Sequence, residues 1–341
     1  MTRTNNKFKL TIASKINMLL SFILSINFLA SPHTSNLIPL ISNDTLFMAD
    51  PTIFYHEGTY YLYGTGGNSN KGFLVYVSRD MKTWKGPMGT GDGYALVKGE
   101  TYGTKGFWAP QVFLYNNKFY MAYTADENIA IAASDSPLGP FRQQHMKAIS
   151  GPGKQIDPYV FFDSDGKKYL YHVRLGGGNK LFVAELNDDL SDIIPGTAQD
   201  CLHGTEPWEN TTHSGTPVTE GPTVLKHRGL YYLFYSANDF RNINYAVGYA
   251  TSKTPLGPWE KYANNPIINK VNMHRNGTGH GDFLEGKKGS FTYVFHTHRS
   301  DNVVSPRVTA IVQAHFARGE KGKADIMEIE DKSLYYPLLS Y

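Results

Sequence analysis

Three acidic residues stand at the head of similar short segments that lie far apart in the chain. Asp50 and Asp157 each precede a proline, and Glu220 stands two residues before one. A single Asp before Pro usually does no more than cap a turn. Three carboxyl groups brought to one place can divide acid and base roles, because burial and neighbouring charges move their pKa values apart. The elements that position these residues therefore decide their chemistry.

Each of these acidic residues opens one copy of an internal repeat. A copy consists of a turn, an apolar strand, a second turn with Gly or Asn, and an aromatic strand. Five copies begin near residues 50, 109, 157, 220 and 280, at intervals of roughly 50–60 residues. A second element, Ser-x-x-Pro-Leu-Gly-Pro followed by an aromatic residue, occurs at 134–141 and at 252–259. Each copy has room for about four short strands.

The repeat predicts an all-β chain folded as a five-bladed β-propeller, with four short antiparallel strands in each blade. The 23 Tyr and 19 Phe favour strands, and the 33 Gly and 18 Pro favour turns. The first strand of a propeller blade lies nearest the central axis, so the residues that open the copies meet at one mouth of the channel. We therefore expect Asp50, Asp157, Glu220 and His280 to surround one pocket.

Five motifs open the copies in a fixed order. They are Ala49-Asp50-Pro51, Phe107-Trp108-Ala109-Pro110-Gln111-Val112, Ile156-Asp157-Pro158-Tyr159-Val160, Thr219-Glu220-Gly221-Pro222 and Gly277-Thr278-Gly279-His280. In this order and spacing the chain resembles glycoside hydrolase family 43, five-bladed propellers that act mainly on arabinose- and xylose-containing glycans. The resemblance extends over about residues 45–318. It implies a hydrolase of O-glycosyl bonds, of α-L-arabinofuranosidase or β-xylosidase type, with the active site at the channel mouth.

The resemblance also implies a role for each carboxylate. Asp50 is expected to be the general base and Glu220 the general acid, whose pKa must be raised for it to stay protonated near neutral pH. Asp157 is expected to orient the acid and to raise its pKa through like charge. The family inverts the anomeric centre, so we expect the carboxyl groups of Asp50 and Glu220 to lie roughly 6.5–9.5 Å apart. No cofactor is required for this chemistry.

Other residues are assigned to substrate and metal binding by the same resemblance. Trp108 is expected to wall the sugar subsite, although a Trp packed in the core between blades is the alternative. Arg307 is expected to bind sugar hydroxyl groups, with Arg299 as its competitor. His280 is expected to face a structural Ca²⁺ in the central channel through water, because Ca²⁺ prefers oxygen ligands. A buried histidine with backbone partners is the alternative for His280.

Two further histidines, His296 and His298, alternate along an apparent strand and therefore share one face. Lining the channel and packing beneath it are both open to them, and we expect packing. Their spacing does not match a zinc site.

The N-terminal segment predicts export. A basic stretch up to Lys15 is followed by an apolar run over residues 16–30, which is typical of a signal peptide, with an uncleaved anchor as the alternative. The predicted organisation is a signal peptide at 1–30, a lead-in at 31–44, the propeller at 45–320 and a closing segment at 321–341. The predicted localisation is secreted or periplasmic, with no stable membrane span in the mature chain. The single cysteine, Cys201, excludes an intramolecular disulfide.

The charge of the chain argues for a neutral partner. Its formal charge is +3, but removing the four basic residues of the first thirty leaves 29 basic against 30 acidic residues, about −1. Nucleic acid is therefore excluded as a partner. We expect a neutral oligo- or polysaccharide containing arabinose or xylose.

Release of L-arabinofuranose is the first prediction for the substrate, and β-xylosidase activity is the runner-up. The prediction of L-arabinofuranose release rests on the absence of the C-terminal sandwich domain that two-domain xylosidases of this family carry. Residues 195–217 form a long insertion that we expect to wall one side of the pocket and to favour exo-action.

Three other functions compete with this prediction. A non-catalytic sugar-binding propeller should lose at least one of the carboxylates. A related retaining enzyme needs its two carboxyl groups closer together. A related phosphorolytic enzyme needs a basic cluster that binds phosphate. A kelch- or WD-type interaction propeller should show its own repeat signature.

Overall fold

The computed structural model describes residues 41–340, and these residues confirm the predicted five-bladed β-propeller. The predicted signal peptide at 1–30 lies outside the described residues, as does the lead-in as far as residue 40. The inner strands of adjacent blades contact one another around a closed ring, in which the strand of the fifth blade also contacts that of the first. This arrangement brings the starts of five distant repeat copies to one axis.

The blades follow one another along the chain. Blade one contains β1 (Met48–His56), β2 (Thr59–Gly66), β4 (Tyr76–Ser78) and β5 (Thr83–Trp84), with β3 (Gly72–Leu74) paired to β6 (Tyr94–Val97). Blade two contains β7 (Trp108–Tyr115), β8 (Lys118–Ala125) and β9 (Asn128–Ser134). Blade three contains β10 (Gln155–Phe162), β11 (Lys168–Leu175), β12 (Asn179–Leu186) and β13 (Gln199–Leu202).

The last two blades are also antiparallel. Blade four contains β14 (Thr219–His227), β15 (Leu230–Ala237), β16 (Ala246–Ser252) and β17 (Glu260–Lys261). Blade five contains β18 (Gly279–Glu285), β19 (Ser290–Thr297), β20 (Val308–Ala317) and β21 (Ile326–Tyr335). Helical structure in the described residues is limited to α1 (Lys270–Met273) and the 3-10 turns Pro207–Glu209 and Lys287–Gly289.

Blades one and two differ in detail from the predicted four strands. Their main sheets have three strands, β1-β2-β4 and β7-β8-β9. Backbone bridges between Val77 and Lys85 and between Ala133 and Arg142 extend each sheet at its outer edge. In blades one and two the place of the fourth strand is therefore taken by a short segment that pairs through a backbone bridge.

Tight turns at the far end of the propeller join the first two strands in three of the blades. Residues 57–58, 116–117 and 228–229 have positive φ at both positions. This is the two-residue geometry whose twist matches that of paired antiparallel strands. Each turn fixes the register of an inner strand and hence the face from which its side chains project.

The core lies between the blades. Among residues 41–340, the buried apolar side chains form five clusters, each shared by two adjacent blades. Trp84 of blade one, for example, packs in the cluster that contains Val294 and Ile311 of blade five. Burying one large apolar side chain contributes about 1.5–3 kcal/mol, so these clusters hold the blades at fixed angles around the axis.

The C-terminal part of the chain differs from the predicted boundary at residue 320. Strand β21 pairs with β20 as the fourth strand of blade five, so the propeller extends beyond 320 into the segment predicted to close it. A last strand, β22 (Leu338–Leu339), pairs with β5 of blade one. Residues beyond 320 therefore contribute both to blade five and to the junction between the last blade and the first.

Candidate active site

The inner strand of every blade is irregular at the same point. The register of each inner strand with its neighbour shifts there, and one residue takes a positive φ of 45–59°. The residues with positive φ are Asp50, Ala109, Asp157, Gly221 and His280. A bulge of this kind bends the strand and redirects a side chain. Four of these five residues line the central cavity: Asp50, Ala109, Asp157 and His280.

The backbone N–H at each bulge donates to a side chain from a neighbouring blade. Three of the acceptors are hydroxyl oxygens of second strands, one is a histidine nitrogen, and one is a carboxylate. The hydrogen bonds are Ala109 to Thr65 Oγ1 (2.9 Å), Asp157 to Thr124 Oγ1 (2.9 Å), Gly221 to Asp157 Oδ2 (3.2 Å), His280 to Ser236 Oγ (2.7 Å) and Asp50 to His296 Nδ1 (3.2 Å). We call this set the mouth ring.

Glu220 does not occupy the same register as the two aspartates. In blade four the bulge residue is Gly221, and Glu220 pairs with Ser236 one residue earlier. The equivalent residue in blade two is Trp108, which pairs with Thr124. Glu220 therefore approaches the axis from a different backbone position, although its motif resembles the Asp-Pro motifs in sequence.

Asp50 lies among cationic and imidazole groups. Its Oδ1 is 3.0 Å from Nη1 of Arg307, 3.3 Å from Nδ1 of His280 and 3.4 Å from Nδ1 of His296. Burial raises the pKa of Asp50, but the Arg307 guanidinium and the neighbouring groups more than offset this, so the pKa lies well below its ordinary value. Asp50 is thus held as a carboxylate.

Glu220 is half-buried and receives hydrogen bonds from two neutral donors. Tyr245 donates its O–H to Oε1 at 2.8 Å, and Asn179 donates to Oε2 at 3.1 Å. Burial raises the pKa of Glu220 to about 7; the hydrogen bond from Tyr245 opposes this rise, and the charge of Asp50 adds to it. Glu220 can therefore hold a proton up to near-neutral pH.

Asp157 is a member of the mouth ring and opens the inner strand of blade three. Its Oδ2 accepts the N–H of Gly221 at 3.2 Å and lies 3.8 Å from Nδ1 of His280. Burial, followed by the charge of Glu220, raises the pKa of Asp157 well above its ordinary value. This favours the neutral form of Asp157. The two carboxyl groups repel each other when both are charged, and the role of Asp157 as a modulator of Glu220 stays a prediction.

The predicted substrate-binding residues lie in different surroundings. Arg307, immediately before β20, contacts Asp50, whereas Arg299 lies over the ring of Phe47 at 5.0 Å. The structure therefore brings Arg307 to the carboxylates and not Arg299. Trp108 is half-buried at the start of β7, next to Ala109 on the central cavity.

The insertion at 195–217 reaches the wall of the site. The backbone N–H of Thr211 donates to Oδ1 of Asn238 at 2.9 Å. Asn238 begins the β15–β16 connection, whose Phe240 ring lies 4.4 Å from the Arg307 guanidinium. The insertion thus supports the loop that contacts Arg307.

The surroundings of His280 do not supply a calcium coordination shell. The cavity beside His280 and Asp282 has a volume of about 20 Å³, enough for roughly one water molecule. Within residues 41–340 no group of three or more His, Cys, Asp or Glu side chains is arranged to hold a metal ion. These residues do not fit a directly coordinated Ca²⁺. A water-mediated ion at His280 stays a prediction, and no chemical step is assigned to it.

Several residues of the site were not found from the sequence. His296, expected to pack beneath the channel, instead contacts Asp50, and Nε2 of His298 donates to the carbonyl of Phe240 at 2.8 Å. Tyr245 and Asn179 hold Glu220 but belong to no recurring motif. The sequence feature that could have pointed to His296 is its alternation with His298 along a strand.

The sequence profile of Glycosyl hydrolases family 43 matches residues 39–320. A solved structure titled as an endo-1,4-β-xylanase from Bacteroides thetaiotaomicron VPI-5482 is 40% identical, covers 87% of this chain and 99% of that chain, and superposes with a TM-score of 0.79. A second, titled as a thermostable family-43 glycoside hydrolase, is 34% identical, covers 83% and 93% of the two chains, and has a TM-score of 0.74. The predicted family is confirmed.

More distant relatives have several named activities. A putative β-xylosidase of Escherichia coli K12 is 28% identical over 75% of this chain, and the match covers 48% of that protein. An extracellular endo-α-(1→5)-L-arabinanase of Bacillus subtilis 168 is 27% identical, with 64% and 68% of the two chains covered. The chain thus spans about half the length of the first of these relatives.

Replacing Arg307 by Met should raise the pKa of Asp50. The guanidinium is the largest influence that lowers this pKa, and burial then acts with less opposition. The check is a ¹³C NMR titration of the Asp50 carboxyl carbon. Arg299→Met is the matched control and should leave the titration of Asp50 unchanged. A pKa of Asp50 that stays low in Arg307→Met would show that Arg307 does not set it.

Proposed function

The chain belongs to glycosyl hydrolases family 43 and is a glycoside hydrolase, and we propose that it cleaves pentosidic bonds with inversion of the anomeric centre. Asp50 acts as the general base and Glu220 as the general acid. Asp157 orients the acid. The observation that carries the proposal is a pair of carboxyl groups whose pKa values diverge, lowered in buried Asp50 and raised to about 7 in half-buried Glu220.

The reaction follows from these protonation states. Glu220 donates its proton to the glycosidic oxygen as the bond to the anomeric carbon breaks. Asp50 accepts a proton from a water molecule that attacks that carbon from the opposite face. Afterwards Glu220 is a carboxylate and Asp50 is protonated, and exchange with solvent restores both. A separation of roughly 6.5–9.5 Å between the two carboxyl groups stays a prediction.

We assign substrate contacts to Arg307 and Trp108. Arg307 lies beside the base and can donate to sugar hydroxyl groups from the same guanidinium that contacts Asp50. An exposed part of the Trp108 ring suits the apolar face of a sugar. The insertion at 195–217, which supports the loop beside Arg307, is consistent with a pocket that accepts chain ends.

The substrate we propose is a neutral polysaccharide that contains arabinose or xylose. Release of L-arabinofuranose is the prediction from the sequence. Xylan is the second candidate, favoured by the 40% identity to the structure titled as an endo-1,4-β-xylanase. Both sugars are uncharged pentoses, which agrees with a chain whose charge after residue 30 is about −1.

Secretion or periplasmic location is proposed from residues 1–30 alone. Their basic stretch and short apolar run are typical of an exported protein. Over residues 41–340, no helix has the length and apolar character needed to cross a membrane.

Asp50→Asn and Glu220→Gln should each lower kcat/KM by about 10³-fold or more, because each removes one proton-transfer group. In the unsubstituted enzyme kcat/KM should fall as pH rises above about 7, where Glu220 loses its proton. The measurements are pH–rate profiles on the best pentoside and melting curves of each variant. Near-normal turnover by either folded variant would refute its assigned role.

A substrate panel should yield a pentose as the dominant product. Nitrophenyl pentosides, arabinan and arabinoxylan are incubated with the enzyme and with Glu220→Gln as the inactive control, and products are resolved by chromatography. Arabinose supports the prediction from the sequence, whereas xylose or xylo-oligosaccharides select the second candidate. Absence of any product would favour the non-catalytic sugar-binding alternative.

A further inference from the structure

Four of the five acceptors of the mouth ring belong to second strands, and one of these four differs in kind from the others. The acceptors in blades one, two and four are the hydroxyl groups of Thr65, Thr124 and Ser236, at matching positions of the second strands. The matching residue in blade five is His296, which pairs with Gly279. A hydroxyl group is sufficient to accept one backbone N–H, so the imidazole is larger than this contact requires.

The second nitrogen of His296 explains the larger side chain. Nε2 lies 3.2 Å from Nη1 of Arg307, while Nδ1 lies 3.2 Å from the backbone nitrogen and 3.4 Å from Oδ1 of Asp50. Burial lowers the pKa of His296 well below its ordinary value, so the ring is neutral. A neutral imidazole has one bare nitrogen, which accepts from Asp50 or from Arg307. With Nδ1 bare, the ring accepts the Asp50 N–H and its Nε2–H packs against Arg307 without a hydrogen bond. With Nε2 bare, the ring accepts from Arg307 and its Nδ1–H faces Oδ1 of Asp50.

The face of the His296 ring makes a further contact. It stacks on Tyr245, with ring centroids 5.6 Å apart and planes 12° apart. Both side chains have 0% exposure. Tyr245 in turn donates its O–H to Oε1 of Glu220 at 2.8 Å. Two packed rings therefore connect the surroundings of Asp50 to the carboxyl group of Glu220.

We propose that His296 and Tyr245 form a positioning pair that fixes Asp50 and Arg307 relative to Glu220. The inference rests on the proposed function, since it concerns the same acid and base. Neither ring is assigned a contact with the reacting atoms. His296 acts through Asp50 and Arg307, and Tyr245 acts through Glu220. Because the rings are buried and stacked, a shift of one side of the site is transmitted to the other.

Tyr245 also has an electrostatic effect that can be measured. The charged and titratable groups that act on Glu220 or respond to it are Asp50, Asp157, Asp239, Arg241 and Arg307. The Tyr245 O–H favours the ionised form of Glu220 and so lowers its pKa. Its removal should raise that pKa, since the other groups are left in place.

The substitution His296→Thr separates positioning from folding. The threonine hydroxyl can accept the Asp50 N–H, as Thr65 and Thr124 do in their blades, but it lacks the contact to Arg307 and the stacked ring. We expect kcat to fall at least tenfold in a folded protein. The matched control is His172→Thr at another fully buried histidine of the propeller, for which kcat should stay within about twofold. His296→Gln, whose amide oxygen can reach Arg307, should recover part of the loss.

The substitution Tyr245→Phe keeps the stacked ring and removes the hydroxyl group. The ¹³C titration of the Glu220 carboxyl carbon should move up by about one pH unit, and the alkaline limb of kcat/KM should move with it. Tyr171→Phe, which removes another buried O–H that donates to the carbonyl of Pro255, should leave both unchanged.

Two results would overturn the proposed pair. One is a kcat for His296→Thr equal to that of His172→Thr, which would leave His296 with a purely structural role. The other is a Glu220 titration that does not move in Tyr245→Phe.

If the unsubstituted protein cleaves no pentoside, the proposed function fails. The Glu220 titration still tests the link through Tyr245 in that case, and the position of Arg307 in a crystal structure of His296→Thr tests the link through His296.

Discussion

The mouth ring is the interaction on which the rest of the site depends. A bulge at the start of each inner strand leaves a backbone N–H without its partner in the sheet, and a buried N–H without an acceptor costs about 1–3 kcal/mol. Each N–H is satisfied by a side chain from a neighbouring blade. The hydrogen bonds that link the blades at the mouth are therefore the same ones that seat Asp50, Asp157 and His280. A change in the packing of blades one and four would therefore displace Asp50 relative to Glu220, which lies one residue before the bulge of blade four.

Burial acts on all three carboxyl groups alike, and their neighbours decide the outcome. Burial alone would raise each pKa. Only Asp50 has a guanidinium at 3.0 Å, and its pKa is lowered. Glu220 receives hydrogen bonds from neutral donors, which reduce the rise in its pKa without reversing it. The position of Arg307 beside Asp50 thus separates the pKa of Asp50 from that of Glu220, as the proposed roles of base and acid require.

The sequence contained enough to predict the propeller and the three carboxylates, because both depend on motifs that recur at regular intervals. The extra residue between Glu220 and Pro222 is visible in the sequence, but only the register of β14 shows that it places Glu220 one residue before the bulge. The residues that contact the carboxylates were harder still to predict from the sequence. His296 meets Asp50 across 246 residues of chain, and no local pattern marks such a contact. Tyr245 lies in a connection without a repeated motif, so only the packed structure identifies it.

The most direct test of this account is the configuration of the first sugar released. Asp50 and Glu220 are assigned to opposite faces of the scissile bond, with water as the nucleophile, so one displacement should invert the anomeric centre. ¹H NMR recorded during the first minutes of hydrolysis, before mutarotation, identifies the anomer. The account predicts the inverted anomer as the initial product. A retained anomer would mean a covalent intermediate on one of the carboxylates and would contradict the assignment of Asp50 as a base acting on water.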